Sequence, residues 1–190
     1  NPTYTWQAGT NVSYYMIAVD TAAGQPYFRK GGYTPGGVCS GGTCAATPPN
    51  QLTLGNYVWY VMTTFKDGTE SWSAGKAFSA SGPPAPVTSQ PQGTVLTPYP
   101  TFTWQTSTSA TEYLLAIDTN PAYPGVGGPW LRQWSPASTV CSGSACSKTL
   151  TTAIPVGPYK WYIAGKNAVG EGPWSTGKTI TVQVPAPTQV

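Results

Sequence analysis

The sequence LTLGNYVWYVMTTFKDGTESWS occupies residues 52–73 and decides the fold. Its apolar side chains alternate, so that Tyr57, Trp59 and Val61 fall on one side of an extended chain. A period of two residues is typical of a β-strand with one buried face. The following Lys-Asp-Gly is turn chemistry and leads into a second extended stretch that ends at Trp72. The segment therefore predicts a β-hairpin packed against a second sheet.

The same stretch returns later in the chain, because residues 154–163 read IPVGPYKWYI where residues 52–61 read LTLGNYVWYV. The other repeated landmarks are PTYTWQ (2–7) with PTFTWQ (100–105), YMIAVDT (15–21) with YLLAIDT (113–119), and ESWSAGKAFS (70–79) with GPWSTGKTIT (172–181). The spacing changes once, which indicates a short insertion around residues 120–128. The 190 residues are thus two copies of a unit of roughly 100 residues, a common domain size.

Four cysteines form two pairs of equal spacing, Cys39 with Cys44 and Cys141 with Cys146. Two local disulfides or one four-cysteine metal site would both use all four. Zinc-binding turns usually space their thiolates by two residues, not four, so the spacing favours the disulfides. We therefore predict no metal centre here, and disulfides indicate an oxidising compartment.

The composition excludes several classes of protein. Histidine is absent, which rules out Ser-His-Asp and Cys-His centres, and nine Lys and Arg against six Asp and Glu give no basic stripe for nucleic acid. No apolar run approaches the length of a membrane span. Asp20 and Asp118 are repeat-equivalent residues at strand ends, and we expect them to cap turns. Asp67 and Glu70 flank a turn, where they could form a weak Ca²⁺ site or have no chemical role. We predict no enzyme, no cofactor and no membrane insertion.

The pattern L-x-x-G-x-Y-x-W, followed by a Gly-containing turn and Trp-Ser, resembles the last two strands of a fibronectin type III domain. The resemblance implies an all-β chain of two tandem Ig-like, fibronectin type III-like β-sandwiches. It places Tyr57 and Tyr159 at the tyrosine corner, and Trp6 and Trp104 in the second strand. The C-x4-C loop is similar to that of a bacterial extracellular variant of the module, found in tandem on secreted or surface proteins.

The repeat phase suggests the domain boundaries. We expect a domain over residues 1–82 that lacks its first strand, a Pro-rich linker over 83–92, a second domain over 93–184, and a tail over 185–190 that resembles the start of the linker. Either the sequence belongs to a longer array of modules, or the tail supplies the missing strand to a neighbouring copy by strand exchange.

Binding residues are sought on the outer sheet faces, where alternation leaves apolar and aromatic side chains. The candidates for ligand or partner contact are Tyr14, Tyr27, Arg29, Tyr33, Tyr60, Trp130, Arg132, Trp134 and Tyr162. Such rings could contact another protein module or stack on sugar rings, with Arg suited to acidic glycans. The long segment over residues 21–37 could instead fold over the face and bury the rings. Trp72 and Trp174 are expected to be structural.

The predicted function is a non-catalytic extracellular structural or adhesive module of a repeat array, surface fibre or filament, assembled through aromatic sheet faces, with strand exchange as a further route. Its expected partners are copies of itself or neighbouring modules of the same protein. The alternative is a carbohydrate-binding accessory module of a secreted polysaccharide-active enzyme, with a polysaccharide as partner. The expected location is extracellular or on the cell surface.

Overall fold

The chain folds into two compact units, Asn1–Ser81 and Gly82–Val190, which we call unit 1 and unit 2. The computed structural model describes residues 1–119 and 129–183. The insertion predicted around residues 120–128 and the tail predicted at 185–190 lie outside the described residues.

Unit 1 is built from short strands and one helical turn. They are β1 (Tyr4–Gln7), β2 (Val12–Thr21), β3 (Pro26–Tyr33), α1 (Pro35–Val38), β4 (Cys39–Ser40), β5 (Thr43–Ala46), β6 (Gly55–Phe65), β7 (Glu70–Trp72) and β8 (Lys76–Ala80). One sheet has the order β3-β2-β6-β7, with β8 also pairing β6, and the other has the order β1-β5-β4. All of these pairings are antiparallel.

Unit 2 repeats this plan with two strands added at its start, but within its described residues the position of β7 holds only an isolated bridge between Lys166 and Glu171. Its elements are β9 (Thr88–Gln90), β10 (Gly93–Val95), β11 (Thr101–Gln105), β12 (Glu112–Asp118), β13 (Pro129–Pro136), α2 (Ala137–Val140), β14 (Cys141–Ser142), β15 (Ala145–Thr149), β16 (Gly157–Lys166) and β17 (Lys178–Val182). The sheets have the orders β10-β17-β16-β12-β13 and β14-β15-β11-β9. The helical turns α1 and α2 were not predicted.

Two facing sheets with this strand order confirm the predicted all-β fold of two Ig-like, fibronectin type III-like sandwiches. The structure differs from the prediction at residues 83–92, which were expected to be a linker. β9 lies inside that range and pairs with β11, with Gln90 opposite Thr103 and Thr88 opposite Trp104. The Pro-rich composition suggested a linker, but β9 is an edge strand of its sheet, where proline is tolerated.

The core of each unit comes from the residues that alternation placed on the inner faces. In unit 2 it contains Trp161, Ile163, Leu115 and Ile117, all essentially inaccessible to solvent. In unit 1 it contains Ile17, Val19 and Tyr57, with Trp59 only partly buried against it. The predicted period-two pattern of the central strands is therefore confirmed.

Both predicted disulfides are present, and they join the equivalent short strands of each unit. Cys39 is bonded to Cys44 at 1.99 Å and Cys141 to Cys146 at 2.01 Å. All four thiols are consumed, so the four-cysteine metal site is excluded.

The tyrosine corner implied by the resemblance is formed in unit 1. The Tyr57 hydroxyl donates to the carbonyl oxygen of Thr53 at 3.0 Å, across the loop that enters β6. The ring itself is 3% exposed. The bond ties this loop to the first buried residue of the longest strand.

Removing this hydroxyl by Tyr57→Phe is expected to lower the free energy of unfolding of unit 1 by about 1 kcal/mol, since an intramolecular hydrogen bond contributes roughly that much. Chemical denaturation followed by an NMR resonance of unit 1 measures the change. The matched Thr53→Ala keeps the Tyr57–carbonyl bond and should cost less, and an equal loss in both variants would contradict the assignment.

Candidate functional site

The candidate site is the outer face of the larger sheet in each unit, on the side away from the core. In unit 1 we call this the outer face and define it by Tyr14, Met16, Val58, Tyr60, Met62 and Trp72. The register supports the grouping, because Met16 lies opposite Met62, and Met62 lies opposite Trp72. In unit 2 the corresponding positions hold Glu112, Leu114, Lys160, Tyr162, Ala164 and Trp174.

The segment that follows β6 or β16 folds back over this face in both units. Trp72 contacts Tyr60 edge to face with ring centroids 6.4 Å apart, and Trp174 contacts Tyr162 in the same way at 6.4 Å. The segment can approach because it carries glycine: a Cβ on Gly75 would lie 2.6 Å from the Tyr60 ring. A Cβ on Gly177 would overlap the Tyr162 ring. This contact leaves Tyr162 only 4% exposed.

The prediction that the segment over residues 21–37 folds over the face is wrong. Most of it forms β3, which pairs with β2 and extends the same sheet sideways. The covering is done instead by the Trp-Ser segment. Trp72 and Trp174 were expected to be structural, and Trp174 is partly buried, but Trp72 is 50% exposed.

In unit 2, Lys and Arg side chains of the same unit make cation–π contacts with the aromatic rings of this face. The Lys166 ammonium lies 4.3 Å from the centroid of Trp134 and forms a 3.2 Å ion pair with Glu112. The Arg132 guanidinium lies 5.4 Å from the centroid of Trp174 and 3.1 Å from an Asp118 carboxylate oxygen. The face of unit 2 is therefore a closed network of charges and rings.

In unit 1 the Arg29–Asp20 ion pair corresponds to Arg132–Asp118, but the Glu112–Lys166 pair of unit 2 is not repeated. Tyr14 stands where unit 2 has Glu112, and Thr64 stands where it has Lys166, so that ion pair has no counterpart in unit 1. Tyr14 is 40% exposed and Trp72 is 50% exposed, and between them lie Met16, which is half-buried, and Met62, which is buried. Aromatic and methionine side chains together are characteristic of protein contact surfaces.

Arg29 was proposed as a ligand-binding residue, and the structure places its guanidinium in contact with its own sheet. It lies 2.6 Å from a carboxylate oxygen of Asp20 and donates to the carbonyl oxygens of Val19 and Phe28 at 3.0 and 2.9 Å. Asp20 and Asp118 were expected to cap turns, and they are instead the ion-pair partners of Arg29 and Arg132. The strand register explains the Arg29–Asp20 pair. Arg29 lies opposite Ala18, and Asp20, two residues further along β2, is its diagonal neighbour on the same face of the sheet.

The other candidate residues lie toward the core rather than on the outer face. Tyr27 packs edge to face on Tyr57 at 5.0 Å, and its hydroxyl accepts a hydrogen bond from the Thr53 amide at 3.2 Å. Tyr33 also packs against the unit 1 core. Trp130 packs on Tyr159 at 6.2 Å. Of the nine candidates, three lie on the outer side of the larger sheet of unit 1 (Tyr14, Arg29 and Tyr60) and three on that of unit 2 (Arg132, Trp134 and Tyr162).

Asp67, one of the two acidic residues at the turn after β6, has a structural partner in Thr69. Asp67 accepts from the Thr69 amide at 2.9 Å and from the Thr69 hydroxyl at 2.7 Å, and these bonds hold the pKa of Asp67 below its usual range. Over residues 1–119 and 129–183, His, Cys, Asp and Glu form no group of three that could hold a metal ion. The described helices include none of the length and apolarity that a membrane span requires.

Comparison with known proteins gives structural similarities only. No family model and no curated protein matches the chain. Similar solved structures include the FN1-FN3 domains of chicken CNTN1, with 15% identity, 92% of this chain and 56% of that chain covered, and a TM-score of 0.39. The fibronectin(III)-like modules of Clostridium thermocellum CbhA give 10% identity, coverage of 96% and 85%, and a TM-score of 0.33.

A tetra-tandem repeat from the extending region of a large adhesion protein gives 12% identity, coverage of 92% and 43%, and a TM-score of 0.42. The chain thus spans just over half the length of the CNTN1 chain and less than half of the adhesion-protein chain. The fold itself is established here by the strand order and by the Tyr57 hydrogen bond.

Trp72 is the surface residue that the sequence analysis missed. Its exposure could have been predicted from the hairpin. Residues directly opposite each other on paired strands point to the same face of the sheet, so the residue opposite Met62 must lie on the outer face. Met62 was already placed on the outer face by alternation, and Trp72 lies directly opposite it.

Proposed function

We propose that this chain is a non-catalytic structural or adhesive segment of an extracellular repeat array, and that the outer face of unit 1 is its contact surface for another copy of the same module. The observation that carries the proposal is the exposed pair Tyr14 and Trp72, with the half-buried Met16 and the buried Met62 between them. An apolar surface of this kind on a sheet face is usually covered by a partner.

The internal duplication supports this assignment because it provides a matched comparison. The two units share the alternation of their central strands and the position of their disulfides, and they differ in how completely the tryptophan of that strand is buried. They differ on the outer face, where unit 2 uses Glu112 and Lys166 to close its own network. A face that only needs to be soluble can carry such charges, so the exposed Tyr14 at the position of Glu112 supports contact.

An extracellular location is part of the same proposal. It is supported by the two disulfides, which persist in oxidising compartments. The disulfides also fasten the edges of the smaller sheets, which suits a module that must stay folded outside the cell.

A glycan-binding role has weaker support from the same residues. It would use exposed, coplanar rings with free hydrogen-bonding groups beside them. Arg29 and Arg132 are both paired with aspartate, and Tyr162 is buried under Gly177. A polysaccharide therefore serves as the competing outcome of the experiment below.

Sedimentation equilibrium of the full chain tests the proposal. We expect weak, concentration-dependent self-association, and we expect the Tyr14→Glu/Trp72→Ala variant to weaken it at least tenfold, since each exposed aromatic anchor contributes on the order of 1 kcal/mol. Tyr14→Glu introduces the residue that unit 2 already has, so folding is preserved. Leu54→Glu, at an equally exposed apolar residue in a loop of unit 1, is the control and should change nothing.

Two results would contradict the proposal. One is a chain that stays monomeric at every accessible concentration. The other is association that all three proteins share equally. Tight binding to a panel of polysaccharides by the native chain, lost in the Tyr14→Glu/Trp72→Ala variant, would establish the carbohydrate alternative instead.

A further inference from the structure

The outermost strand of the larger sheet of unit 2 is β13. The sheet order β10-β17-β16-β12-β13 gives it one neighbour, and no other described strand pairs with it. Its register with β12 is continuous from Leu131 opposite Ile117 to Pro136 opposite Glu112, without a bulge in that range. A regular edge strand presents unpaired backbone N–H and C=O groups to another chain, so this edge is a candidate interaction surface.

The backbone groups at this open edge can be assigned from the ladder. The Ala137 amide donates to the carbonyl oxygen of Thr111 at 2.8 Å, in phase with the register of β13 and β12. Residues that bond to one neighbouring strand alternate along a β-strand with residues that bond to the other side. The odd-numbered residues of 131–135 therefore bond toward β12, whereas the N–H and C=O groups of Arg132 and Trp134 point to the open edge.

The corresponding strand of unit 1, β3, is protected against such pairing in two ways. The exposed Lys30 places a charge on the edge strand, opposite Ile17. The pairing then shifts, because Tyr33 lies opposite Tyr15, so that β3 has one residue more than β2 in this interval, and Gly32 there has a φ of 85°. An edge lysine and a β-bulge are two devices that keep sheets from joining edge to edge.

Unit 2 has neither device on β13. Gln133, which is exposed and uncharged, occupies the repeat position of Lys30. The bulge is also absent, because the register of β13 is continuous here. The one charged residue of β13 is Arg132, and an Asp118 carboxylate oxygen 3.1 Å away compensates its charge. Neither charge nor geometry therefore opposes a second strand at this edge.

A second copy of the same strand fits this edge. With two copies of β13 antiparallel and a two-fold axis at Gln133, each Arg132 lies opposite Trp134 of the other copy. These are the two residues whose N–H and C=O groups point to the edge, so they exchange hydrogen bonds across the axis. The next register would place Arg132 opposite Arg132, and like charges directly opposite each other are destabilising. Pro129 and Pro136 lack N–H groups, so they end the paired segment on both sides.

We propose that β13 is a self-pairing edge, through which unit 2 of two chains joins into one continuous antiparallel sheet. The occupant of the edge is β13 of a second copy, in the register that has Gln133 on the two-fold axis. This contact goes beyond the function proposed above, because it uses none of the residues of the unit 1 outer face. A two-fold contact closes at a dimer, so a chain that has both contacts can assemble beyond a dimer.

Charged substitutions at Gln133 test the register directly. Gln133→Glu and Gln133→Lys are each made in the Tyr14→Glu/Trp72→Ala chain, so that the outer face of unit 1 does not contribute, and association is measured by sedimentation equilibrium. Each variant alone sets like charges opposite each other, and we expect its dimer to be at least tenfold weaker than that of the parent. An equimolar mixture of the two sets opposite charges against each other and should restore dimerisation to at least the level of the parent. Gln105→Glu, the same change at an exposed glutamine of the smaller sheet, is the control and should change nothing.

Hydrogen exchange of backbone amides supplies a measure that needs no substitution at the edge. In the Tyr14→Glu/Trp72→Ala chain we expect the Arg132 and Trp134 amides to exchange at least threefold more slowly at millimolar than at micromolar concentration, with the amides of β3 unchanged. Unslowed exchange of those two amides, a mixture that associates no better than either charged variant alone, or an equal loss in Gln105→Glu would each overturn the proposal. Because the outer face of unit 1 is disabled throughout, such a failure leaves the proposed function standing, and a failure of the proposed function leaves β13 pairing detectable.

Discussion

Trp161→Ala is expected to lower the free energy of unfolding of unit 2 by about 3–5 kcal/mol, the usual cost of truncating a buried tryptophan to alanine. Trp161 is inaccessible to solvent, and its ring packs edge to face on Phe102 at 5.0 Å. Its indole N–H is the donor to Pro91. The substitution therefore opens a cavity and frees the segment that carries Pro91.

Trp59→Ala is the matched variant, because Trp59 holds the same position in unit 1. We expect a clearly smaller loss there, since Trp59 is already partly exposed and has less contact area to lose. Chemical denaturation of the full chain, followed by separate NMR resonances of the two units, gives both values. Equal losses in the two units would contradict the difference in burial between the two tryptophans.

Gly177→Ala is expected to lower the free energy of unfolding of unit 2 by about 1–3 kcal/mol, the range for overfilling a packed site. The added methyl group would overlap the Tyr162 ring, which is held from the other side by its own sheet. The segment carrying Trp174 must then lift from the outer face of unit 2. Exposure of Tyr162 and loss of the Arg132–Trp174 contact should follow.

The indole N–H resonance of Trp174 in NMR, identified by its absence in Trp174→Phe, and the denaturation midpoint measure this effect. Gly36→Ala is the control, because a Cβ on Gly36 meets nothing within 4 Å and its backbone conformation is accessible to alanine. That variant should leave stability unchanged or slightly higher. A Gly177→Ala protein as stable as the native chain, with Tyr162 still buried, would show that the segment does not rest on the sheet.

Local pattern was sufficient to predict the core and the disulfides. The alternation around Tyr57 and Tyr159 places the inner residues of β6 and β16, because the side-chain period of a strand is fixed at two. The cysteine spacing predicted the pairs, because residues joined by a tight hairpin are adjacent on neighbouring strands. The internal repeat doubled the evidence for each of these assignments.

Contacts between distant segments were not predictable in the same way. The pairing of β9 with β11 lies inside a Pro-rich stretch whose composition indicated a linker. The Arg29–Asp20 and Arg132–Asp118 pairs depend on strand register, which the residues in one strand do not specify. The approach of the Trp72 and Trp174 segments to the outer faces depends on Gly75 and Gly177, whose role appears only once the neighbouring ring is located.

The most direct test of contact through unit 1 uses the only two methionines of the chain: Met16, which is half-buried on the outer face, and Met62, which lies opposite Met16 and is buried beside Trp72. Labelling the methionine methyl groups with ¹³C gives two NMR signals that report this surface alone. The account predicts that both signals shift or broaden as the chain concentration rises, and that Tyr14→Glu/Trp72→Ala abolishes the effect. Two sharp signals that do not move up to millimolar concentration would contradict it.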